Sequence, residues 1–187
     1  AGAVALIRQL PPTWTPSMIQ ANLMNTAKDL GLNTYTQGAG RVRLDKAADV
    51  AAVLNPPSIG FGSVGVDQAL WTSTRALTVT NVTTASVGYS LQISGALPAG
   101  VTTSLEPANA TISVGESVTV SFQITVDNAL VPYQTEGAGS YEGLVIAQSS
   151  SGYLAVPFTF IKGSRLEITF DEEPYSVLIH DRETLRF

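Results

Sequence analysis

The run ESVTVSFQITVD, Glu116 to Asp127, alternates without a break. Val118, Val120, Phe122, Ile124 and Val126 fall on one side of an extended chain. Ser117, Thr119, Ser121, Gln123 and Thr125 fall on the other. Successive side chains of a strand point to opposite faces, so this pattern separates a dry face from a wet one. β-Branched and aromatic residues at the apolar positions suit a pleated, half-buried surface. The run is a strand of an antiparallel sheet.

The same period extends on both sides of it. Ala76 to Asn81 sets Leu77 and Val79 against Thr78 and Thr80, and Gly88 to Ser94 carries Tyr89, Leu91 and Ile93 on one face. Leu144 to Ala147 and Tyr153 to Ile161 add two more strands. Turn residues separate them: Leu97-Pro98-Ala99-Gly100, Glu106-Pro107-Ala108-Asn109, Val114-Gly115-Glu116 and Ser151-Gly152. About seven short strands in about 100 residues predict an immunoglobulin-like or fibronectin-III-like sandwich over residues 57–163.

Before residue 57 the period is helical. Ala1 to about Leu10 is apolar nearly all round until Arg8, as in a helix buried on every side, and Pro11-Pro12 ends it. A second helix starts at Thr15, a capping residue, with Pro16 at the first helical position. Ile19, Leu23, Ala27 and Leu30 recur at helical spacing, and Leu30-Gly31 supplies a left-handed exit. After the tight turn Gln37-Gly38-Ala39-Gly40, a third, Ala-rich helix is expected from about Leu44 to Leu54. Asn55-Pro56-Pro57-Ser58 makes a stiff connector into the β region. The fold class is therefore mainly β, with an N-terminal α segment over residues 1–56.

Two sets of motifs resemble known families. Trp14-Thr15-Pro16, then Asn22-Leu23-Met24-Asn25-Thr26-Ala27, then Gly38-Ala39-Gly40-Arg41-Val42 resemble the end of the catalytic domain of the subtilisin-like serine proteases, the subtilases. In that family the nucleophilic serine heads a buried helix of small and apolar residues. Ala1 to Ile7 is similar to the continuation of that helix, which would put the serine about two turns upstream of Ala1. Further on, Phe61 to Val64, Thr74 to Asn81, Leu97 to Val101, Pro107 to Val114 and Tyr141 to Gly143 resemble, in order, the fibronectin-III-like domain that follows the catalytic domain in many large subtilases. Together the resemblances cover about residues 1–162.

They imply the C-terminal part of a secreted or cell-surface serine endopeptidase whose Asp, His and Ser all lie upstream. On that reading the chain holds no catalytic, cofactor-binding or metal-binding residue and is inactive alone. Protein or peptide substrate would be met through the missing catalytic domain, with calcium possible in the parent. Asn25 would be structural rather than the family's oxyanion-hole asparagine. The alternative is a non-catalytic adhesion or binding module whose sandwich is the working part.

Composition narrows the field. Of 187 residues, 44% are hydrophobic and only 13% charged, with a net charge of −5. No Lys/Arg run offers the basic face that neutralises phosphates, which argues against nucleic acid. No stretch reaches the roughly 18 apolar residues of a membrane span. There is no cysteine, so disulfides and thiolate metal sites are excluded. No signal peptide is visible, and both ends read as cut from something longer.

The remaining candidates favour structural roles. His180 is the sole histidine and reads as a polar strand-end residue beside Asp181. Gly38-Ala39-Gly40 has Arg43 where a dinucleotide fingerprint needs its third glycine, so it reads as a chain reversal. Asp171-Glu172-Glu173 lacks the alternating acids of a calcium loop and reads as a solvated turn. Asn81-Val82-Thr83 and Asn109-Ala110-Thr111 are formal glycosylation sequons. Trp14, Trp71, Tyr133, Tyr141 and Tyr153 are scattered and do not line up as a carbohydrate platform. Residues 164–187, with strand-like runs at Arg165–Phe170 and Tyr175–Ile179, are too few to bury a core and read as the start of a further β module.

Overall fold

The computed structural model describes residues 2–9, 14–65, 67–133, 140–162, 168–171 and 176–179. Two sheets face each other across one core. The first has four strands, β1 (Ala52–Asn55), β3 (Leu70–Asn81), β7 (Ser117–Asp127) and β5 (Val101–Glu106), in the order β1-β3-β7-β5. The second has five, β2 (Ile59–Ser63), β9 (Gly152–Ile161), β8 (Ser140–Ser149), β4 (Val87–Ser94) and β6 (Asn109–Ile112), in the order β2-β9-β8-β4-β6. The chain is thus mainly β, a sandwich with an N-terminal helical segment. A separate antiparallel pair, β10 (Ile168–Asp171) and β11 (Ser176–Ile179), overlaps the two C-terminal strand-like runs, with Asp171 extending the first beyond Phe170.

The alternating run keeps its predicted register. Val120, Phe122, Ile124 and Val126 are completely buried, Val118 is partly buried, and Ser117, Thr119 and Ser121 are exposed. Edge-to-face contacts tie the two sheets at the centre. The Phe122 ring sits 5.0 Å from Phe158 and 5.0 Å from Phe61, which come from the facing sheet. Gly143 in β8 is required there, because a Cβ would meet the Phe158 ring at 2.5 Å.

Three features depart from the sequence reading. Not every strand pair is antiparallel, since β2 runs parallel to β9. β5 and β6 form where only turn signals were noted, joined through Pro107-Ala108. The outer face of β8 and β9 is not wet. Leu144, Ile146 and Ala155 are half-buried there and Pro157 is buried.

The helical segment explains that cover. It contains α1 (Gly2–Ile7), α2 (Pro16–Asn25), α3 (Thr34–Gln37) and α4 (Leu44–Ala47). Thr15 caps α2 as expected, its hydroxyl accepting from the Met18 amide. However, α2 ends at Asn25 and not at Leu30. The Thr26 hydroxyl and amide both take the Asn22 carbonyl, and Lys28 then pairs with Arg41 in an antiparallel bridge. Leu30 is consequently 49% exposed. The expected helix from Leu44 to Leu54 stops at Ala47. Ala52 to Asn55 instead pair with Asn81 to Thr78, and the ladder satisfies backbone groups that a helix would have paired locally.

On α1, Ile7 is buried against Ile19 and Ala47, but Val4 and Leu6 are 42% and 53% exposed. This helix is apolar around its circumference, yet only one side of it is covered. The break expected at Pro11-Pro12 lies outside the described residues.

Candidate functional site

Buried amides fasten the helical segment to the sandwich. Asn22 donates through Nδ2 to the Ala47 carbonyl at 2.8 Å, tying α2 to α4. Asn25 accepts from the Leu54 amide at 2.8 Å and donates to the Ala155 carbonyl at 3.4 Å, tying α2 to both sheets. The Thr34 amide at the start of α3 donates to the Glu142 carboxylate of β8 at 2.6 Å. Asn25 thus holds α2 to the sandwich, and apolar periodicity alone misses it because polar side chains this deep are recognisable only through their partners.

A cavity of about 140 Å³ opens along the seam. The end of α2 forms one wall with Asn25 to Ala27. Arg43 at the start of α4 and Lys46 within it line the cavity, Val50 follows, and Tyr89 of β4 and the β8–β9 turn close the other side. Tyr153, 62% exposed, borders this cavity and a second groove of about 280 Å³ floored by Leu144, Ile146, Ala155 and Pro157.

The electrostatics are uneven. Arg43 is engaged with Asp45 at 3.0 Å in the one ion pair among the described residues. Hydrogen bonding from Arg43 lowers the Asp45 pKa. Among the described residues Lys46 has no such partner. Tyr89 is 4% exposed, and its hydroxyl is shut off from solvent beside that of Ser149. Burial pushes its pKa up, an effect partly opposed by the neighbouring Ser149 hydroxyl. Ser149 is itself engaged, donating to the Gly152 carbonyl and accepting from the Ser151 amide, both at 3.2 Å. Asp45 pairs with Arg43 and Asp49 also lines the cavity, so the seam carries no net positive charge.

The residues singled out from sequence do not gather there. Gly38 and Gly40 have φ of 62° and 112°, and a Cβ on Gly40 would overlap the Lys28 carbonyl. That turn is a chain reversal with the Lys28 and Arg41 backbones in close approach. Asn81 is 1% exposed, with Nδ2 donating to the Ala85, Ile112 and Ser113 carbonyls and Oδ1 accepting from the Thr83 amide and hydroxyl. Its sequon is a loop clasp, whereas Asn109 is exposed at the start of β6. Tyr141 is buried with its hydroxyl donating to the Pro132 carbonyl at 2.8 Å, and its ring stacks on Phe160. Asp171 ends β10, while Glu172, Glu173 and His180 lie outside the described residues. Among the described residues no three His, Cys, Asp or Glu side chains group as a metal site. No helix among them is long and apolar enough to cross a membrane.

Comparison with known proteins gives one informative likeness. The chain is 30% identical over 165 residues to the minor extracellular protease Vpr of Bacillus subtilis (strain 168). The match covers 83% of this chain but only 19% of that protease. It supports a related origin. No family model matches. Solved structures of similar fold include the PapD-like domain 7 of human CEP192, with TM-score 0.41 and 16% identity over 62% of this chain and 87% of that one. Another is the periplasmic chaperone SfaE, with TM-score 0.41 and 12% identity over 60% of this chain and 58% of that one.

Proposed function

We propose that this chain is the C-terminal part of a secreted or cell-surface subtilisin-like serine endopeptidase, joining the last helices of the catalytic domain to a fibronectin-III-like accessory domain. The carrying observation is the likeness to Vpr, an extracellular protease, across 83% of the chain. The subtilase motifs at Trp14 to Pro16, Asn22 to Ala27 and Gly38 to Val42 fall in the helical segment, and the fibronectin-III-like motifs fall in the sandwich.

The chain's own share is scaffolding. Asn25 and Thr34 lock the helices to the sandwich, so the accessory domain bears directly on the catalytic core rather than hanging from a linker. The uncovered Val4 and Leu6 of α1 form the face against which that core packs. The peptide-bond chemistry, through a serine acyl-enzyme, belongs to residues upstream.

An active-site-directed fluorophosphonate tests this reading. The 187-residue chain stays unlabelled, and the longer protein that contains it is labelled at a serine upstream of Ala1. An unlabelled longer protein would instead favour a binding module, and stoichiometric labelling of the short chain would show the nucleophile misplaced.

A further inference from the structure

We propose that the free edge of β5 (Val101–Glu106) pairs with the same strand of a second copy of this chain, making a two-fold dimer through one continuous sheet. The proposal stands apart from the protease reading and rests on the backbone of that strand. β5 ends its sheet and is hydrogen-bonded to β7 alone. The Asp127 amide donates to the Gly100 carbonyl at 2.8 Å, and this sets the alternation along the strand. Thr102, Ser104 and Glu106 turn their backbone groups to β7, so Val101, Thr103 and Leu105 turn theirs outward. The Val101 amide is used locally, donating to the Pro98 carbonyl at 3.1 Å. Thr103 and Leu105 are left with amide and carbonyl aimed away from the sheet.

The other edges of the sandwich are closed or shorter. On β1 the outward Leu54 amide is taken by Asn25 Oδ1. On β2 the Arg75 guanidinium covers the edge, donating to the Gly60 and Phe61 carbonyls at 3.2 and 3.3 Å. β6 has four residues against six in β5. β5 also lacks the devices that keep sheet edges apart, with no lysine, no proline and no inward charge. Its sequence fits a second copy in one register. Setting Thr103 opposite Leu105 of the second copy, and the reverse, matches every outward amide of these residues to an outward carbonyl. Ser104 then meets itself on the two-fold axis. Glu106 faces Thr102, and the two glutamates stand about 14 Å apart along the strands. A shift of two residues one way sets Thr103 opposite Pro107, which has no amide. The same shift the other way sets Leu105 opposite Val101, whose amide is committed. An edge pair of this size buries little surface, so the dimer is weak and forms at high concentration.

Sedimentation equilibrium of the 187-residue chain over rising concentration reads the association, and a monomer–dimer equilibrium is expected. Thr103→Pro removes an amide that faces outward and leaves the β7 ladder whole, so it should weaken dimerisation about tenfold or more while the chain still folds. Ser104→Lys, at an exposed position, sets like charges against each other on the axis. It should weaken dimerisation several-fold, and more at low salt than at high. Because the chain has no cysteine, Ser104→Cys reads the register directly. Mild oxidation should link it into a covalent dimer far faster than Thr119→Cys, an exposed position on β7 away from the axis. A chain that stays monomeric would overturn the proposal. So would a dimer unchanged by Thr103→Pro and Ser104→Lys, or equal cross-linking through positions 104 and 119.

Discussion

Asn25 and Leu54 lie 29 residues apart and are joined by a buried hydrogen bond, in which the Leu54 amide donates to Asn25 Oδ1 at 2.8 Å. Because Leu54 belongs to β1, this bond fixes the end of α2 to the edge of the sandwich. Asn25→Ala strands the Leu54 amide in a buried site and is expected to cost about 1–3 kcal/mol. Leu30→Ala, on an exposed side chain, is expected to stay within about 0.5 kcal/mol. Urea unfolding of both variants checks the contrast.

At the sandwich centre, Gly143 faces the Phe158 ring so closely that a methyl group has no room. Phe158 cannot retreat, being fully buried against Phe122 and Phe61. Gly143→Ala is expected to destabilise by about 1–3 kcal/mol through overpacking. Phe122→Ala, which empties the same centre, should cost about 3–5 kcal/mol. Thermal unfolding that left either variant at the parental midpoint would contradict the packing.

Lys162 is 1% exposed, and its ammonium donates to the Asn128 and Val131 carbonyls at 2.8 and 2.6 Å beneath the Tyr133 ring. It thereby ties the end of β9 to the segment leaving β7. Lys162→Met keeps much of the aliphatic volume but leaves both carbonyls without that donor. The expected loss is about 1–3 kcal/mol, measured by denaturant unfolding.

Tyr89→Phe removes a buried hydroxyl that sits beside Ser149, so stability at neutral pH should change by no more than about 1 kcal/mol. The pH dependence follows from the raised pKa. A folded-state pKa above the unfolded value means the native state holds the proton more tightly. That contribution is complete below about pH 10 and is lost as pH rises through the folded pKa. Stability profiles of the parent and Tyr89→Phe should therefore diverge further above pH 10. A parallel fall in both would place Tyr89 in contact with water.

The strands that could be read from sequence are those whose two faces differ. Val120 to Val126 alternate with Ser121 to Thr125 because one side meets the core and the other meets solvent. β1 gave no such signal, since Ala52, Val53 and Leu54 are all buried, with α2 lying against the strand. An Ala-rich run with burial on both sides is ambiguous between helix and strand, and the ladder with β3 decides it. The inward face of Tyr89 was legible from Leu91 and Ile93, but its place on the seam lining was not. That lining arises only when residues 25–27, 43–51 and 149–154 converge, and no local pattern encodes it.

Hydrogen exchange on α1, read against α2 and β7, most directly tests the claim that this chain is a scaffold with one face awaiting a catalytic core. In the monomeric 187-residue chain, amides of α2 should exchange slowly, near the scale of Val118 to Val126, because Asn22 and Asn25 anchor that helix. Amides from Leu6 to Arg8 should exchange far faster, since α1 is a single short helix with Val4 and Leu6 open to water. In the longer protein the same amides should become as slow as those of β7. Equal protection of α1 and β7 in the short monomer, or no gain for α1 in the longer protein, would contradict the account.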